Sequence, residues 1–301
     1  MTISRRDVLG LLPMSAALWT SQLHAQAAYP PRIGVQLYTL RNQLDRLDET
    51  LRTVAELGFS EVETLRPVLP LLPPLLAKHK LTAPSGHFDA PLITGNRELW
   101  GKLAPPPLPP DYTVERAIEQ AKAAGLKYFV LAYLMPPERQ SLDDYRRYAD
   151  RMNEVGRQCR EAGLQFCYHH HAFEFAPLQG ERPWDLLLAR WDKDLVALEV
   201  DVFWLASAGL DPAGTIRELG PRVKLLHLKD RARGQPVALD EAAVPPAAFA
   251  EVGNGSLDFP AILRAAREVG VQHFFVEQDH VPGEPAASLR QSITYLRSLK
   301  I

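Results

Sequence analysis

The sequence predicts a single (β/α)8 barrel, and three observations lead to that fold class. Short β-branched or aromatic runs alternate with longer amphipathic stretches along the chain after residue 27. Eight such units fit into about 270 residues, which suits a closed barrel of parallel strands. The first strand, Ile33–Tyr38, is not followed by the glycine-rich turn of an open dinucleotide-binding sheet, so we set that rival fold aside.

The predicted elements follow one another in strict alternation. The strands are Ile33–Tyr38, Glu61–Leu65, Leu81–His87, Tyr128–Ala132, Leu164–His170, Val196–Val200, Val223–Leu228 and His273–Glu277. Helical patterns lie at Leu47–Leu57, Thr113–Ala124, Leu142–Ala162, Pro183–Trp191, Pro212–Leu219, Phe259–Val269 and Ala286–Leu299. Glycines directly after several helices are the expected stops, and Ser141 and Asp211 are the expected N-caps.

Two predicted connections are too long to be plain turns. Phe88–Asp111 follows strand 3 and carries Pro105-Pro106-Pro107 and Pro109-Pro110, while Arg231–Gly255 follows strand 7. Both come directly after a strand, so we expect them on the barrel face where active sites are built, as lids or substrate walls.

Residues 1–27 have the pattern of a twin-arginine signal peptide. Arg5-Arg6 precedes an apolar stretch, Val8–Trp19, and Ala25-Gln26-Ala27 offers a cleavage site. An ordinary secretory signal is the alternative. The apolar stretch is shorter than the ~20 residues of a membrane span, and no other segment is apolar enough to be one. We therefore expect the twin-arginine machinery as a partner, a periplasmic or otherwise exported protein, and a barrel domain at 28–301.

Composition limits the other partners. The chain has 34 Lys and Arg residues against 36 Asp and Glu residues, so it lacks the basic excess that binds a nucleic acid backbone. Its 46% hydrophobic content is typical of a folded globular protein, and two cysteines cannot form a disulfide framework. The oligomeric state stays open, with a homo-oligomer among the alternatives.

The strongest functional signal is the set of side chains at the ends of strands 5 to 8. Because side chains alternate along a strand, strand 5 turns its apolar residues outward and its polar ones into the barrel. The residues predicted to face inward are His169 and His171, Glu199 and Asp201, His227 and Lys229, and Glu277 with Asp279 as a further candidate. Four consecutive strands thus bring imidazoles and carboxylates to one rim.

A metal site explains this cluster best. Carboxylates beside imidazoles in a partly buried mouth cost several kcal/mol each unless they are paired or bind metal. A mixed nitrogen and oxygen donor set suits Mn²⁺, Co²⁺, Zn²⁺ or Fe²⁺ better than Ca²⁺ or Mg²⁺. The alternative is an internal salt-bridge network in which protonated histidines neutralise Asp201 and Glu277.

The motifs also resemble a known family, the sugar phosphate isomerase/epimerase superfamily of xylose isomerase-like barrels. It includes ketose 3-epimerases, inosose dehydratases and dehydroshikimate dehydratases. The motifs that carry the resemblance are Ile33-Gly34-Val35-Gln36-Leu37-Tyr38, Tyr168-His169-His170-His171-Ala172-Phe173-Glu174-Phe175, Leu198-Glu199-Val200-Asp201-Val202-Phe203-Trp204, His227-Leu228-Lys229-Asp230, Val252-Gly253-Asn254-Gly255 and Val276-Glu277-Gln278-Asp279.

The resemblance implies a divalent metal held by Asp201, His227 and Glu277, which match the family's ligands on strands 6, 7 and 8. The epimerases have a glutamate at the strand 5 position, where this chain has His169. His169, Glu174 or a water molecule would then complete the coordination. The same departure weakens plain epimerase chemistry, which uses the strand 5 and strand 8 glutamates as an acid/base pair.

These groups suit proton abstraction beside a carbonyl. A metal that binds the carbonyl and a neighbouring hydroxyl stabilises an enediolate. The proton would go to one of three candidate bases, Glu277, His171 or Glu174, and Lys229 would stabilise the oxyanion. Candidate substrate contacts are Trp204, Phe173 and Tyr38, which would stack on a sugar, and His87 at the end of strand 3.

Three functions are compatible with this chemistry. The leading hypothesis is a metal-dependent isomerase or epimerase that acts on a sugar or keto-sugar. The second is a lyase or dehydratase that acts on a 3-keto-glycoside or related polyol. The third is a periplasmic sugar-binding protein that kept the barrel without the catalysis.

Overall fold

A closed barrel of eight parallel strands forms the centre of the molecule. The structure, a computed structural model, describes residues 29–30, 32–103 and 106–301. The strands pair in chain order and the last pairs with the first. Barrel strands 1 to 8 are Gly34–Gln36, Glu61–Thr64, Thr82–Phe88, Tyr128–Leu131, Gln165–His169, Val196–Asp201, Val223–Leu228 and His273–Val276. Their ends differ from the predicted ends by at most two residues, so the predicted fold class is confirmed.

Helices alternate with these strands. The longer ones are Leu47–Leu57, Leu72–His79, Val114–Ala123, Leu142–Glu161, Pro183–Arg190, Pro212–Leu219, Phe259–Val269 and Pro285–Ser298. Short α-helices lie at Pro91–Thr94, Arg97–Leu103 and Val202–Ser207, and 3-10 turns at Leu37–Arg46, Arg66–Leu71, Pro136–Glu138, Phe173–Phe175, Gly220–Arg222, Glu241–Ala243 and Pro246–Ala248. Across the described residues, no helix combines the length and the apolar character needed to span a bilayer.

The helix ends follow the predicted signals. Gly58 and Gly270 have φ values of 94° and 87°, the left-handed conformation in which glycine avoids the steric cost of a Cβ atom. The side chains of Ser141 and Asp211 accept backbone N–H groups of the first turn, as predicted. The unpredicted helix Leu72–His79 begins with two prolines, which fit there because first-turn N–H groups have no partner within a helix.

The apolar core divides as the strand alternation predicts. Phe166 and Tyr168 of strand 5 belong to the large core that includes the helices. Cys167 faces inward, in a separate cluster that fills the barrel with Phe275 and three smaller neighbours. Gly34 makes room for this packing, because a Cβ atom there would lie 2.6 Å from the Phe275 ring. Both cysteines are buried and free, as predicted.

The two long connections carry structure of their own. The one after strand 3 contains two of the short helices, and its Pro105 lies outside the described residues, as does the predicted signal peptide at 1–27. The connection after strand 7 contains a two-stranded antiparallel ribbon, Asp230–Arg231 with Phe249–Ala250. Asp230 anchors this connection, because its buried carboxylate accepts the backbone N–H groups of residues 231, 253, 255 and 257 at 2.7–3.2 Å.

Candidate active site

A large cavity opens at the carboxyl ends of the barrel strands, with a volume of about 1180 Å³. The charged and imidazole side chains at its floor are His169, His171, His227, Lys229, Glu277 and Asp279. Parallel strands all end at the same face of a barrel, so residues far apart in sequence meet here. The structure therefore brings most of the predicted strand-end residues into one site.

The centre of the floor is a compact group of opposite charges. Lys229 Nζ lies 2.7 Å from Glu277 Oε2 and 3.1 Å from Asp201 Oδ2. It also lies 3.1 Å from the Asp279 carboxylate. Burial alone would lower the pKa of Lys229, but the three carboxylates hold that pKa well above its usual range. Lys229 therefore keeps its positive charge at this depth.

The His227 ring connects the floor to a lower polar layer. Its Nδ1 atom lies 2.8 Å from Glu277 Oε2, whereas Nε2 lies 2.7 Å from Glu63 Oε2 and 3.2 Å from Glu199 Oε2. Burial disfavours the charged ring, but Glu199 and the other carboxylates raise the pKa of His227 well above its usual range. The carboxylates around this ring thus favour positive charge between them, which either a proton on the ring or a bound cation in place of that proton would supply.

The lower layer holds Glu63 firmly in place. Gln36 Nε2 and Ser85 Oγ each donate a hydrogen bond of 2.5 Å to the Glu63 carboxylate, and His87 Nε2 lies 3.3 Å away. Burial raises the pKa of Glu63, yet His227 and His87 bring it well below its usual range. Glu199 behaves in the opposite way, because burial and the neighbouring Glu63 raise its pKa. The pKa values of the two carboxyl groups are thus shifted in opposite directions, and Glu63 is the one favoured to carry negative charge.

The upper floor has the donor set of a divalent metal site. His169, Asp201 and His227 each offer one ligand atom, and these atoms lie within 4.8 Å of one another. Asp201 Oδ2 and His227 Nδ1 are buried and make no aligned hydrogen bond within the described part of the chain. Lys229 Nζ lies 3.1 Å from Asp201 Oδ2, and a further cation or an ordered water would complete the hydrogen-bonding capacity of both buried atoms. These three residues therefore fit a divalent ion, and Glu277, the remaining predicted ligand, lies beside them with its Oε2 atom 2.8 Å from His227 Nδ1.

His169 suits a ligand role in this set. Its Nδ1 lies 3.2 Å from Glu199 Oε2 and its Nε2 lies 3.8 Å from Asp201 Oδ2. Burial and the charge on His227 lower the pKa of His169 well below its usual range, so the ring is neutral. Neutral imidazole is the form that binds metals. Ion pairs of the alternative salt-bridge network are present around Glu277, but the His169 ring is not protonated in them.

The His171 ring lies at the floor of the cavity. Its Nδ1 atom is buried and makes no hydrogen bond to the described residues. Its ring packs against Phe173 and Trp204, with centroids 5.6 Å and 5.1 Å away. Burial and the charge on Lys229 lower the pKa of His171 well below its usual range. The ring is therefore neutral and able to accept a proton.

The other predicted residues divide into two groups. His87, Trp204 and Tyr38 line the cavity, and Tyr38 is 41% exposed at its rim. Phe173 and Glu174 are not among the described residues that line it. Phe173 is buried beneath the Arg139 guanidinium, which lies 3.3 Å above the centre of its ring.

Glu174 lies behind the floor rather than in the cavity. It accepts hydrogen bonds from the Tyr168 hydroxyl at 2.7 Å and from the His171 backbone N–H at 2.9 Å. Burial raises its pKa to about 7. In this structure Glu174 supports the position of His171 and does not face a substrate.

Sequence reasoning missed two parts of the site. The first is the lower polar layer that joins Glu63 to Gln36, Ser85 and His227; the sequence indicates Glu63 only as a weak candidate for substrate contact, and it gives no sign of these bonds. The second is a contact between loops, in which Arg139 pairs with Glu241 at 2.5 Å and Tyr133 bonds to the same carboxylate. These loops are 102 residues apart in sequence, and no local pattern indicates their contact.

Comparisons with known proteins agree with the fold. The profile of the family described as xylose isomerase-like TIM barrel matches residues 112–299. An inosose dehydratase of Lacticaseibacillus casei is 30% identical over 166 residues, which are 51% of this chain and 54% of that protein. The chain thus spans about half the length of the curated relatives it matches.

Solved structures extend the likeness to nearly the whole chain. A sugar phosphate isomerase/epimerase from Parabacteroides distasonis ATCC 8503 superposes with a TM-score of 0.70 and 20% identity, covering 95% of this chain and 98% of that one. A structure of the IOLI protein with a bound zinc atom gives a TM-score of 0.63 at 15% identity, covering 89% and 98%.

Proposed function

The chain belongs to the xylose isomerase-like TIM barrel family, and on that premise we propose that it is a divalent-metal-dependent enzyme that removes the proton beside the carbonyl of a sugar or keto-sugar. The observation that carries this proposal is the convergence of His169, Asp201 and His227, whose ligand atoms lie within 4.8 Å of one another at the floor of a cavity that His169 and His227 line. When bound there, a divalent ion supplies a Lewis acid for the substrate's carbonyl and adjacent hydroxyl.

Lys229 would stabilise the negative charge that develops on the substrate, and His171 would accept its proton. Lys229 is a buried cation that faces the cavity, so it can bind the oxygen on which negative charge develops. His171 has a neutral ring, an unpartnered Nδ1 and aromatic neighbours that fix its orientation. We assign it the role of proton acceptor on the position of its unpartnered Nδ1 atom at the cavity floor.

We propose elimination in preference to epimerisation. The strand 5 residue is His169, whose two ring nitrogens face Glu199 and Asp201, so the ring serves the donor cluster rather than a second face of the substrate. Elimination needs only one base. The C–H proton moves to His171, the group on the next carbon leaves with its electron pair, and a carbon–carbon double bond forms. The curated relatives named inosose dehydratase support this class.

Glu277 favours a second candidate, an isomerase or epimerase. Its carboxylate lines the same cavity as His171, so the floor offers two groups that can exchange a proton with one carbon. Burial raises the pKa of Glu277, but Lys229 and His227 reverse that effect and leave the pKa well below its usual range. The carboxylate is therefore ionised and able to act as a base.

The test combines metal analysis with product analysis in D₂O. We expect one tightly bound transition metal per chain, solvent deuterium beside the carbonyl, and release of a leaving group from keto-glycosides. An epimer without a released group would select the second candidate. Sugar binding without exchange would make the chain a binding protein, and a metal-free active chain would refute the proposed site.

Variants separate the residue roles. His171→Asn should abolish deuterium exchange while the metal content stays complete, whereas Asp201→Ala should lose the metal. His79→Asn is the matched control, because His79 binds Asp48 on the helix side of the barrel. Equal exchange in the wild type and His171→Asn would exclude His171 as the base.

Export by the twin-arginine route is part of the same proposal. It rests on Arg5-Arg6, the apolar stretch after them and the cleavage site at Ala25-Gln26-Ala27. Replacing both arginines by lysine should leave the uncleaved precursor in the cytoplasm, as cell fractionation would show. Normal export of that variant would contradict this route.

A further inference from the structure

One wall of the cavity is apolar and exposed. Three of the four large hydrophobic side chains exposed among the described residues, Tyr38, Leu71 and Leu103, line this one cavity. Leu71 and Leu103 are 58% and 59% exposed. Exposed apolar side chains that gather in one place mark a binding surface, whereas scattered ones need no explanation. We call this wall the apolar shelf and define it as Val68, Leu71, Trp100, Leu103, Pro107 and Leu108.

The cavity has room for more than a sugar ring. Drug-sized ligands occupy pockets of ~300–1000 Å³, and this cavity is larger, at about 1180 Å³. Its charged floor comes from strands 5 to 8, whereas the shelf comes from the loops that follow strands 2 and 3. A ligand that fills both parts must be polar at one end and apolar at the other.

Buried polar contacts hold the shelf in place. The Arg66 guanidinium bonds to the Asp89 carboxylate and to the Pro106 carbonyl oxygen, both at 2.6 Å, and so ties the two shelf loops together. Trp100 Nε1 donates to the buried Glu138 carboxylate at 3.0 Å. Arg66 and Asp89 line the cavity beside the shelf, and because their polar groups bind one another and the loop backbone, the apolar side chains of the two loops are held in position for an apolar group.

We propose that the substrate is a keto-glycoside whose aglycone is an apolar aryl or alkyl group seated on the apolar shelf. This inference rests on the proposed function, since the sugar would lie over the floor. With a ketone at C3, the C2 proton is removed, the C1–O bond breaks and a C1=C2 double bond forms. The proton goes to the aglycone oxygen, so the products are the enone and a free phenol or alcohol. The ketone is already in the substrate, so no oxidant is needed.

The test compares phenyl and methyl 3-keto-glucosides on the metal-loaded mature protein. We expect the phenyl substrate to have a KM lower by on the order of tenfold, the effect of burying one apolar group. The double variant Leu71→Ser/Leu103→Ser should lose this preference and keep its kcat/KM for the methyl substrate. Val237→Ser is the matched control, because Val237 is 62% exposed and does not line the cavity.

Calorimetry with phenyl and methyl glucosides, which lack the ketone, separates this inference from the proposed function. Tighter binding of the phenyl compound, lost in the double variant, would support the shelf even if no substrate were turned over. Equal binding of the two compounds, or a preference that survives in the double variant, would overturn the inference. Turnover of both keto-glucosides with equal KM would refute the shelf and leave the proposed elimination standing.

Discussion

Asp230 should be among the residues on which the stability of the barrel mouth depends most. Its carboxylate is buried and accepts four backbone N–H groups. Oδ1 accepts from the N–H groups of residues 231 and 257, and Oδ2 accepts from those of residues 253 and 255. In Asp230→Asn one of these oxygens becomes an NH₂ group, which cannot accept. Whichever way the amide turns, two N–H groups lose their acceptor.

The expected loss follows from that count. A hydrogen bond to a charged group contributes about 1.5–3 kcal/mol, so two of them amount to about 3–6 kcal/mol of unfolding free energy. The melting temperature should fall by roughly 5–10 °C in a chain of this size. The backbone at Gly255 packs so closely against the Asp230 carboxylate that a Cβ atom there would overlap it, so the loop has no room to move and restore the lost hydrogen bonds.

Urea unfolding followed by circular dichroism measures this loss. Asp211→Asn is the control, because Asp211 also accepts two backbone N–H groups but is exposed at a helix N-cap. Asparagine is nearly as good an N-cap as aspartate, so the control should lose little. If Asp230→Asn lost less than about 1 kcal/mol, or no more than Asp211→Asn, the role of buried charge-assisted hydrogen bonds argued here would be wrong.

Three further predictions concern the polar layers and the loop contact. Glu63→Gln should weaken metal binding by about 10- to 100-fold, because Glu63 orients the His227 ring. The control is Glu181→Gln, at an exposed residue, which should leave the dissociation constant of the metal unchanged. An unchanged dissociation constant in Glu63→Gln would contradict this role. Glu174 has its pKa raised to about 7 in the fold against about 4.3 unfolded. The contribution of this raised pKa to the free energy of unfolding is thus complete below pH ~4.3 and is lost as the pH rises through 7. As the pH rises from 5 to 8, the unfolding free energy of Glu174→Gln should therefore increase by up to about 3 kcal/mol relative to that of the wild type. A difference in unfolding free energy that does not change with pH would exclude the raised pKa of Glu174. Arg139→Ala removes the partner of Glu241, so limited proteolysis should cut the loop after strand 7 faster, and identical cleavage rates would show that the pair does not hold it.

Sequence alone predicted the barrel well because its signals are local. Each strand is a short apolar run, and the alternation within strand 5 correctly separated Cys167 from Phe166 and Tyr168. The same alternation does not predict the side-chain directions of Phe173 and Glu174. They follow the end of the strand at His169, so their direction depends on a 3-10 turn that strand periodicity does not describe.

Other features depend on contacts that no local pattern contains. The orientation of the His227 ring is set by Glu63, which lies 164 residues away in the chain. The pair of Arg139 and Glu241 joins two loops of the cavity rim. The helix Leu72–His79 was hidden by its own prolines, which lower helix propensity everywhere except the first turn.

The division of the cavity has a consequence for how such a protein diversifies. The floor comes from strands 5 to 8, and the apolar shelf comes from the loops after strands 2 and 3. Each loop is anchored by its own strand, so insertions or exchanges in the shelf loops leave the floor side chains in position. Natural selection and directed evolution can therefore change which groups the shelf accepts, which are the leaving groups of the proposed reaction, without moving the floor side chains. Grafting both shelf loops onto another barrel with a similar floor should transfer the binding preference of the shelf to that barrel.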